Sequence, residues 1–448
     1  HIVHGNALRM DWNEVVPANQ CSFILGNPPF YGARMQSKQQ KAEIQDVFHG
    51  SKNSGNIDYV AGWYIKAAEY MGNYPIRAAF VSTNSICQGE QVANVWKPIY
   101  DLGVRIDFAH DTFRWRNEAT EQAHVYVVIV GFSKLSGKKT LFHHANPDAP
   151  EEVSNPANIN AYLAAAPDVF VWNRSKPLCD VPSIGIGNKP IDGGNYLFKD
   201  DEKKAFLAVE PKAAAYFHKW LGSNEFLNNC PRYVLWLGDK SEEELADLPF
   251  CRERVENVRQ LRLASKSAPT RKIADTPTRF HVENMPEGTS ILIPEVSSEK
   301  RRYIPMGFIG PETFCSNLVR LIPNANIYHY GVLQSQFHNA WMRTVAGRLK
   351  SDYRYSGGVV YNNFVWPNPT SKQQEAIEAC AQAILDTRDS YPDKSLANLY
   401  DPDKMPADLL AAHRALDAAV EAAYGVNFDG DEEKIVAHLF KLYAQATA

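Results

Sequence analysis

Asn27, Pro28, Pro29 and Phe30 follow directly on the apolar run from Cys21 to Gly26, and their residue types suit one kind of chemistry. Asn27 presents an amide oxygen. The Pro28 carbonyl is a second acceptor, because Pro29 carries no N–H to compete with it. Phe30 adds an aromatic face. Two acceptors beside a stacking plate fit an exocyclic aromatic amine such as N6 of adenine, whose lone pair is delocalised into its ring. Holding both amine hydrogens favours a more tetrahedral nitrogen that attacks an electrophilic methyl, and no strong base is needed. Because N6 lies inside a duplex, the base must be swung out and clamped between apolar side chains, at a cost of roughly a few kcal/mol that stacking partly offsets. The plainer reading is a strand-terminating turn with a core phenylalanine. The place of the tetrad after a strand, and the order of the segments behind it, favour the chemical reading.

Two successive prolines fix φ twice and cannot continue a ladder, so the strand must stop and the backbone must turn outward at its carboxyl end. Ligands of α/β sheets bind at that end. Residues 1–133 alternate between apolar runs of strand length, at Ser22–Leu25, Ile76–Val81, Val104–Ala109 and His124–Phe132, and helix-compatible stretches such as Asp58–Met71. That pattern predicts an α/β sheet wrapped by helices. A Pro-rich stretch then reads as a linker, with a boundary near 145–155. Residues 155–365 read as an α+β region rich in irregular loops, in which Phe337, Trp341, Val345 and Leu349 form one apolar helical stripe. The last eighty or so residues read as helices over Gln373–Asp386 and Ala407–Tyr424, the second carrying Leu409, His413, Leu416, Val420 and Tyr424 at helical spacing.

With 448 residues, 45% hydrophobic and 22% charged, the chain is too long and too ordinary for a stapled miniature, a disordered protein or a collagen. It shows neither a secretory leader nor a membrane span. Seven scattered cysteines without a CxxC pair read as reduced thiols of a cytoplasmic protein. Histidines 143, 144, 218, 329, 338 and 413 lack metal-binding spacing and read as structural, so no metal is expected. Asp192-Gly193-Gly194 reads as a tight turn. A net charge of −4 argues against a protein that coats nucleic acid everywhere, yet the charge is segregated along the chain. Cys251–Lys272 is strongly basic, and a second basic cluster runs through Arg343, Arg348, Lys350 and Arg354. Arg259, Arg262, Lys266 and Arg271 are the candidates for phosphate contact.

With these segments in order, the chain resembles the N6-adenine, gamma-type DNA amino-methyltransferases of the MmeI-like (type IIL restriction-modification) family along its whole length. Gly5-Asn6-Ala7-Leu8 with Asp11-Trp12 is similar to the loop after the third strand, and Asn27 to Phe30 to the catalytic motif. Asn56–Ala68 is similar to the helix whose aromatic lies by the donor's adenine, and Val81–Ile86 with Gln88-Gly89 to the fifth strand and its loop. Phe113, in the segment His110–Trp115, matches the position that presses on the flipped base. The resemblance implies a partial Rossmann-like class I methyltransferase domain (1–145), a target-recognition domain (150–365) and a C-terminal helical module (366–448). It further implies S-adenosylmethionine as methyl donor, met by Asn6, Ala7, Leu8, Asn27 and Trp63, and a target base held between Phe30 and Phe113. Arg301, Arg302, Arg348, Lys350 and Arg354 would join the four basic candidates above in contacting double-stranded DNA, in a bacterial cytoplasm.

One departure stands out. The family's Gly-containing donor loop and the acidic residue after the second strand both precede the catalytic motif, and only 26 residues precede Asn27 here. The expectation is therefore a carboxyl-terminal portion with only part of the donor site. Its Asn-Pro-Pro-Phe strand would be an unprotected sheet edge, to be completed by the upstream part of the same protein or by a separate chain. Two other readings remain open: a protein-glutamine or RNA methyltransferase, and a DNA-specificity subunit without activity of its own.

Overall fold

Strand β1 (Phe23–Gly26) stops where the two prolines begin, in a computed structural model that describes residues 2–115, 125–144, 149–241 and 243–448. Between β1 and the next strand come two helices. Helix α1 (Lys38–Val47) opens on a capping box in which Ser37 and Gln40 satisfy each other's backbone N–H. Helix α2 (Ala61–Met71) buries Ala61, Gly62, Tyr64, Ile65, Ala67, Ala68 and Met71. Strand β2 (Arg77–Thr83), helix α3 (Gly89–Asp101), and strands β3 (Arg105–Trp115), β4 (Val125–Ser133), β5 (Thr140–His144) and β6 (Glu151–Ser154) complete this part. The sheet order is β1-β2-β4-β3-β5-β6.

Strand direction decides which loops can meet. β1 runs parallel to β2, while β4 runs antiparallel to both β2 and β3. Strands β1, β2 and β3 therefore point the same way, and their carboxyl ends share one end of the sheet. Beneath them, Tyr64 stacks on Phe132 at 5.3 Å and meets Trp96 edge-on at 5.3 Å, and its hydroxyl lies 2.8 Å from Ser82 Oγ. These rings are wholly buried. A Phe132→Ala change would cost about 3–5 kcal/mol from lost burial and the cavity left behind.

The expected sheet edge is present: β2 is the only strand paired with β1 among the described residues, and Phe23 and Leu25 stand 69% and 77% exposed. Two expectations change. The linker reading over 145–155 gives way at Glu151–Ser154, which pairs antiparallel with β5; residues 145–148 lie outside the described residues. All four β6 side chains are exposed, so the strand is held by backbone pairing and leaves no apolar alternation to read. The stripe expected to reach Leu349 ends earlier, because the helix stops at Val345. Leu349 sits instead in a hairpin of Gly347–Leu349 with Asp352–Arg354, 56% exposed.

The chain divides into two compact units that are not consecutive: His1–Leu178 with Ala340–Val365 and Gly430–Ala448, and Cys179–Asn339 with Trp366–Asp429. Within the first, Asn362 and Asn363 donate to the carbonyls of Arg174 and Trp172, and Trp341 packs on Phe440 at 5.5 Å. The second contains two four-stranded sheets, a core including Tyr196, Trp220, Val234 and Phe314, and helices Ser371–Asp389 and Ala407–Ala423. Leu409, His413, Leu416 and Val420 are buried as their spacing predicts. Residues 340–365 and 430–448 thus belong to the first unit. Among the described residues no helix is long and apolar enough to cross a membrane.

Candidate functional site

The Asn27–Phe30 corner opens at the shared carboxyl end of β1, β2 and β3. Asn27 and Pro29 are exposed, Phe30 is half-buried and Pro28 is buried, so Pro28 anchors the corner while the Asn27 side chain faces out. Neither the Asn27 carboxamide nor the Pro28 carbonyl has a hydrogen-bond partner among the described residues. Asp58 fixes the loop after the corner: Oδ1 accepts from the Ala33 N–H at 2.9 Å and Oδ2 from Ser85 Oγ at 2.5 Å. The Tyr59 N–H reaches the Tyr31 carbonyl at 2.9 Å, and Gln36 Nε2 donates to the Ile57 carbonyl at 2.8 Å. The loop after β1 is thereby tied to the loop after β2.

Phe113 lies at the same end of the sheet, on β3. Its polar neighbours suggest a loop, but the strand runs on to Trp115 across a register irregularity between His110 and Phe113. Ladder pairing to β4, and not apolar alternation, carries those last residues. The half-buried Phe113 ring is 5.4 Å from that of His144 and 6.3 Å from that of Trp115, and Asn84 Nδ2 reaches Thr112 Oγ1 at 3.4 Å. Arg116 and His124 lie outside the described residues.

The residues assigned to the methyl donor are used differently from one another. Asn6 Oδ1 accepts from the Leu8 N–H at 2.9 Å, and its Nδ2 donates to Glu43 at 3.1 Å, so most of this amide serves its own turn. The Leu8 side chain is buried and packs so closely on α2 that a Cβ at Gly62 would lie 3.1 Å from it. Leu8 is therefore a core residue and meets any ligand only through its backbone. The Ala7 carbonyl accepts from Trp12 Nε1 at 2.8 Å. Trp63 is half-buried and meets Tyr59 edge-on at 5.3 Å, an aromatic wall of the kind an adenine ring packs against.

Glu43 holds this turn together and went unmarked in the sequence. It is buried and accepts from Asn6, from Arg9 Nε at 2.8 Å, from Gln39 and from the Tyr59 hydroxyl. Burial opposes its charge, yet the bonds from Tyr59, Gln39 and Arg9 hold its carboxyl below the usual range. Burial, with the hydrogen bond to Glu43, pushes the Tyr59 hydroxyl up to about 12. Asp58 was equally hidden: its partners are 25 and 27 residues away, beyond any local pattern.

Among the basic candidates, Arg262 is a correction. It is fully buried, and its guanidinium donates to the carbonyls of Pro190, Ile191, Ile273, Thr276 and Arg279 at 2.8–3.0 Å. It faces inward because a planar fork of five donors can cap several loop ends at once, and no phosphate reaches it. Lys266 and Arg271 are exposed, and Arg259 half-buried, near the end of the same basic segment. Arg302, Lys350 and Arg354 are exposed, while Arg301 and Arg348 are half-buried. Arg348 braces its own hairpin, donating to the Ser351 carbonyl at 2.8 Å and lying over Tyr353 at 4.0 Å. Lys350 occupies the turn with φ 59°. Arg343 is paired with Glu432 at 2.7 Å.

An α/β sheet with an outward Asn-Pro-Pro-Phe corner, continued by a mixed unit of small sheets and helices, defines the class as a methyltransferase-type domain joined to further domains. Comparisons identify the family. Residues 1–143 match the family model described as MmeI, DNA-methyltransferase domain, residues 165–368 MmeI, target recognition domain, and residues 369–448 MmeI, C-terminal domain. The chain belongs to the MmeI family. It is 40% identical over 448 residues to DNA methyltransferase A of Bacillus subtilis (strain 168), a match that takes in 99% of this chain and 50% of that protein. It is 45% identical to the type IIL restriction-modification enzyme MmeI solved in complex with DNA, with a TM-score of 0.93 over 100% of this chain and 60% of that one. The chain thus spans half to three-fifths of the length of these relatives.

Proposed function

We propose that this chain carries the target-base pocket and DNA-recognition part of a site-specific DNA adenine-N6 methyltransferase of a type IIL restriction-modification system. The observation that carries this reading is the corner after β1. The exposed Asn27 carboxamide and the Pro28 carbonyl next to it are acceptors without a partner among the described residues, with Phe30 beside them and Phe113 at the same end of the sheet. Asn27 Oδ1 and the Pro28 carbonyl would take the two hydrogens of an extruded adenine's N6, and Phe30 and Phe113 would cover its ring. S-adenosylmethionine, when bound, supplies the electrophilic methyl. Trp63 would pack on its adenine, and the Asn6–Leu8 turn would meet it chiefly through backbone.

Lys266, Arg271, Arg302, Lys350 and Arg354 are the exposed candidates for phosphate contact, with Arg259, Arg301 and Arg348 behind them. The unpaired edge of β1 supports a further strand pairing with it, from an upstream segment of the same protein or a separate chain. The same reading sets the protein to work on bacterial DNA in the cytoplasm.

Asn27→Ala, made in the protein together with its upstream region, should slow methyl transfer to duplex DNA by about 10²–10³ or more and leave specific DNA binding intact. Transfer at the unaltered rate would overturn the assignment. The present chain assayed alone distinguishes an incomplete enzyme from a specificity subunit: if adding the upstream region restores no transfer, the second reading holds.

A further inference from the structure

Three side chains on one face of the first sheet form a cluster that the adenine chemistry does not use. His110 is the register partner of Phe142 across β3 and β5, and His144 is the partner of Glu151 across β5 and β6. Paired residues share a face, and so do residues two apart on a strand. His110, His144 and Glu151 therefore project from the same face, and one donor atom from each lies within 4.8 Å of the other two. His110 Nδ1 is 3.3 Å from Glu151 Oε2, close to the edge of about 3.4 Å that bonds of 2.0–2.1 Å make in a tetrahedron.

The His144 ring shows how the cluster is set up. Its Nδ1 lies 3.1 Å from the Ala149 carbonyl, and a carbonyl only accepts, so Nδ1 carries the proton and the lone pair sits on Nε2. That Nε2 is buried and has no partner among the described residues. An imidazole whose far N–H is held by a carbonyl, with its other nitrogen bare, is the arrangement that orients a metal ligand. His110 is held from the other side, stacked on Phe142 at 4.1 Å and 3°.

We propose that His110, His144 and Glu151 bind one divalent transition-metal ion of the zinc class, with a coordination position left open. Two imidazoles and one carboxylate suit Zn2+, Co2+ or Fe2+ and disfavour Mg2+ and Ca2+, which prefer oxygen. The ion would clip the wholly exposed strand β6 to β3 and β5. Its place beside Phe113, whose ring is 5.4 Å from His144, gives it a role in setting the base-stacking wall; that consequence alone rests on the adenine reading. The absence of HExxH-type spacing hid the site, because sheet register and not sequence interval assembles it.

The test is Co2+ titration of the chelator-stripped chain, read by the visible absorption of protein-bound cobalt and by displacement with Zn2+. One equivalent should bind, and millimolar Mg2+ should not displace it. His144→Ala and His110→Ala should each weaken binding by about 100-fold or more. Glu151→Gln, on an exposed edge strand where folding is not at risk, should weaken binding and shift the spectrum. His143→Ala, at the neighbouring position and on the opposite face, should leave both unchanged. Failure of the unaltered chain to bind one equivalent, displacement by Mg2+, or binding by the Glu151→Gln or His144→Ala variant as tight as that of the unaltered chain would overturn the proposal. None of these readouts involves DNA or methyl transfer, so they are independent of the function proposed above.

Discussion

The corner after β1 leaves its polar atoms without a partner among the described residues, whereas the helix Pro249–Leu263 draws one arginine wholly inside and satisfies it with five carbonyls. Both regions carry strong hydrogen-bonding groups. What separates them is the backbone around each group. Two prolines supply no N–H and forbid the ladder from continuing, so the Asn27 and Pro28 oxygens stay available for a ligand. Around Arg262, carbonyls of two stretches of chain, 190–191 and 273–279, converge, and a buried carbonyl without a donor costs about 1–3 kcal/mol. The arginine answers that need. An available polar group points to function, and a saturated one points to architecture.

The contrast breaks most readily at Arg262. Arg262→Met keeps much of the stem's volume but removes every donor, so five buried or part-buried carbonyls lose this partner together, and the unit holding them should lose about 3–5 kcal/mol. Urea unfolding followed by circular dichroism would show the transition at lower denaturant. A loss under about 0.5 kcal/mol would mean that the guanidinium is not the hub the hydrogen bonds describe.

Asn27→Ala should do the reverse, leaving stability nearly unchanged because the carboxamide has no partner among the described residues. Removing one preorganised hydrogen-bonding group from a reacting centre typically costs about 10²–10³ in rate. Single-turnover methylation in the presence of the upstream region measures it, and an unfolding curve on the same sample separates the two effects. A stability loss as large as that of Arg262→Met would show that the corner is structural.

His413 extends the contrast to pH. It is fully buried, its Nε2 3.0 Å from the Tyr400 hydroxyl and its ring stacked on Tyr303 at 4.1 Å. Burial, and then the charges of Arg388 and Arg302, depress it to about 3. The folded state thus prefers the neutral ring, and unfolding takes up a proton below the ordinary value near 6.5. Its contribution is complete above about pH 6.5 and falls away as the pH drops toward 3, by at most about 1.4 kcal/mol per pH unit. His413→Phe should flatten that slope between about pH 6 and 4; an unchanged slope would assign the acid sensitivity elsewhere.

Legibility in the sequence divides along the same line. The end of β1 was readable because Pro-Pro acts through its own backbone, and the stripe Leu409, His413, Leu416 and Val420 was readable because burial follows helical spacing. The far half of β3 and all of β6 were not, since ladder pairing to a neighbour holds them without apolar alternation. Glu43 sits among Lys, Gln and Asp residues in α1 and looks like any solvated position, yet Asn6, Arg9 and Tyr59 reach it from other parts of the chain. Charge clusters were the least readable, because a local run of arginines does not say which one points in.

The smallest effect offers the sharpest contrast, because Lys266 stands four residues beyond Arg262 in the same basic segment and is exposed. Lys266→Ala should change stability by less than about 0.5 kcal/mol, since it removes no buried contact. If this residue faces phosphate, the variant should weaken DNA binding about equally for all sequences and reduce the slope of log affinity against log salt by about one. Methylation of saturating DNA should be unaffected, because the corner after β1 is untouched. A change in sequence preference instead would make Lys266 a base-reading residue, and an unchanged salt slope would remove it from the interface and shift the phosphate contacts to Arg271, Arg302, Lys350 or Arg354.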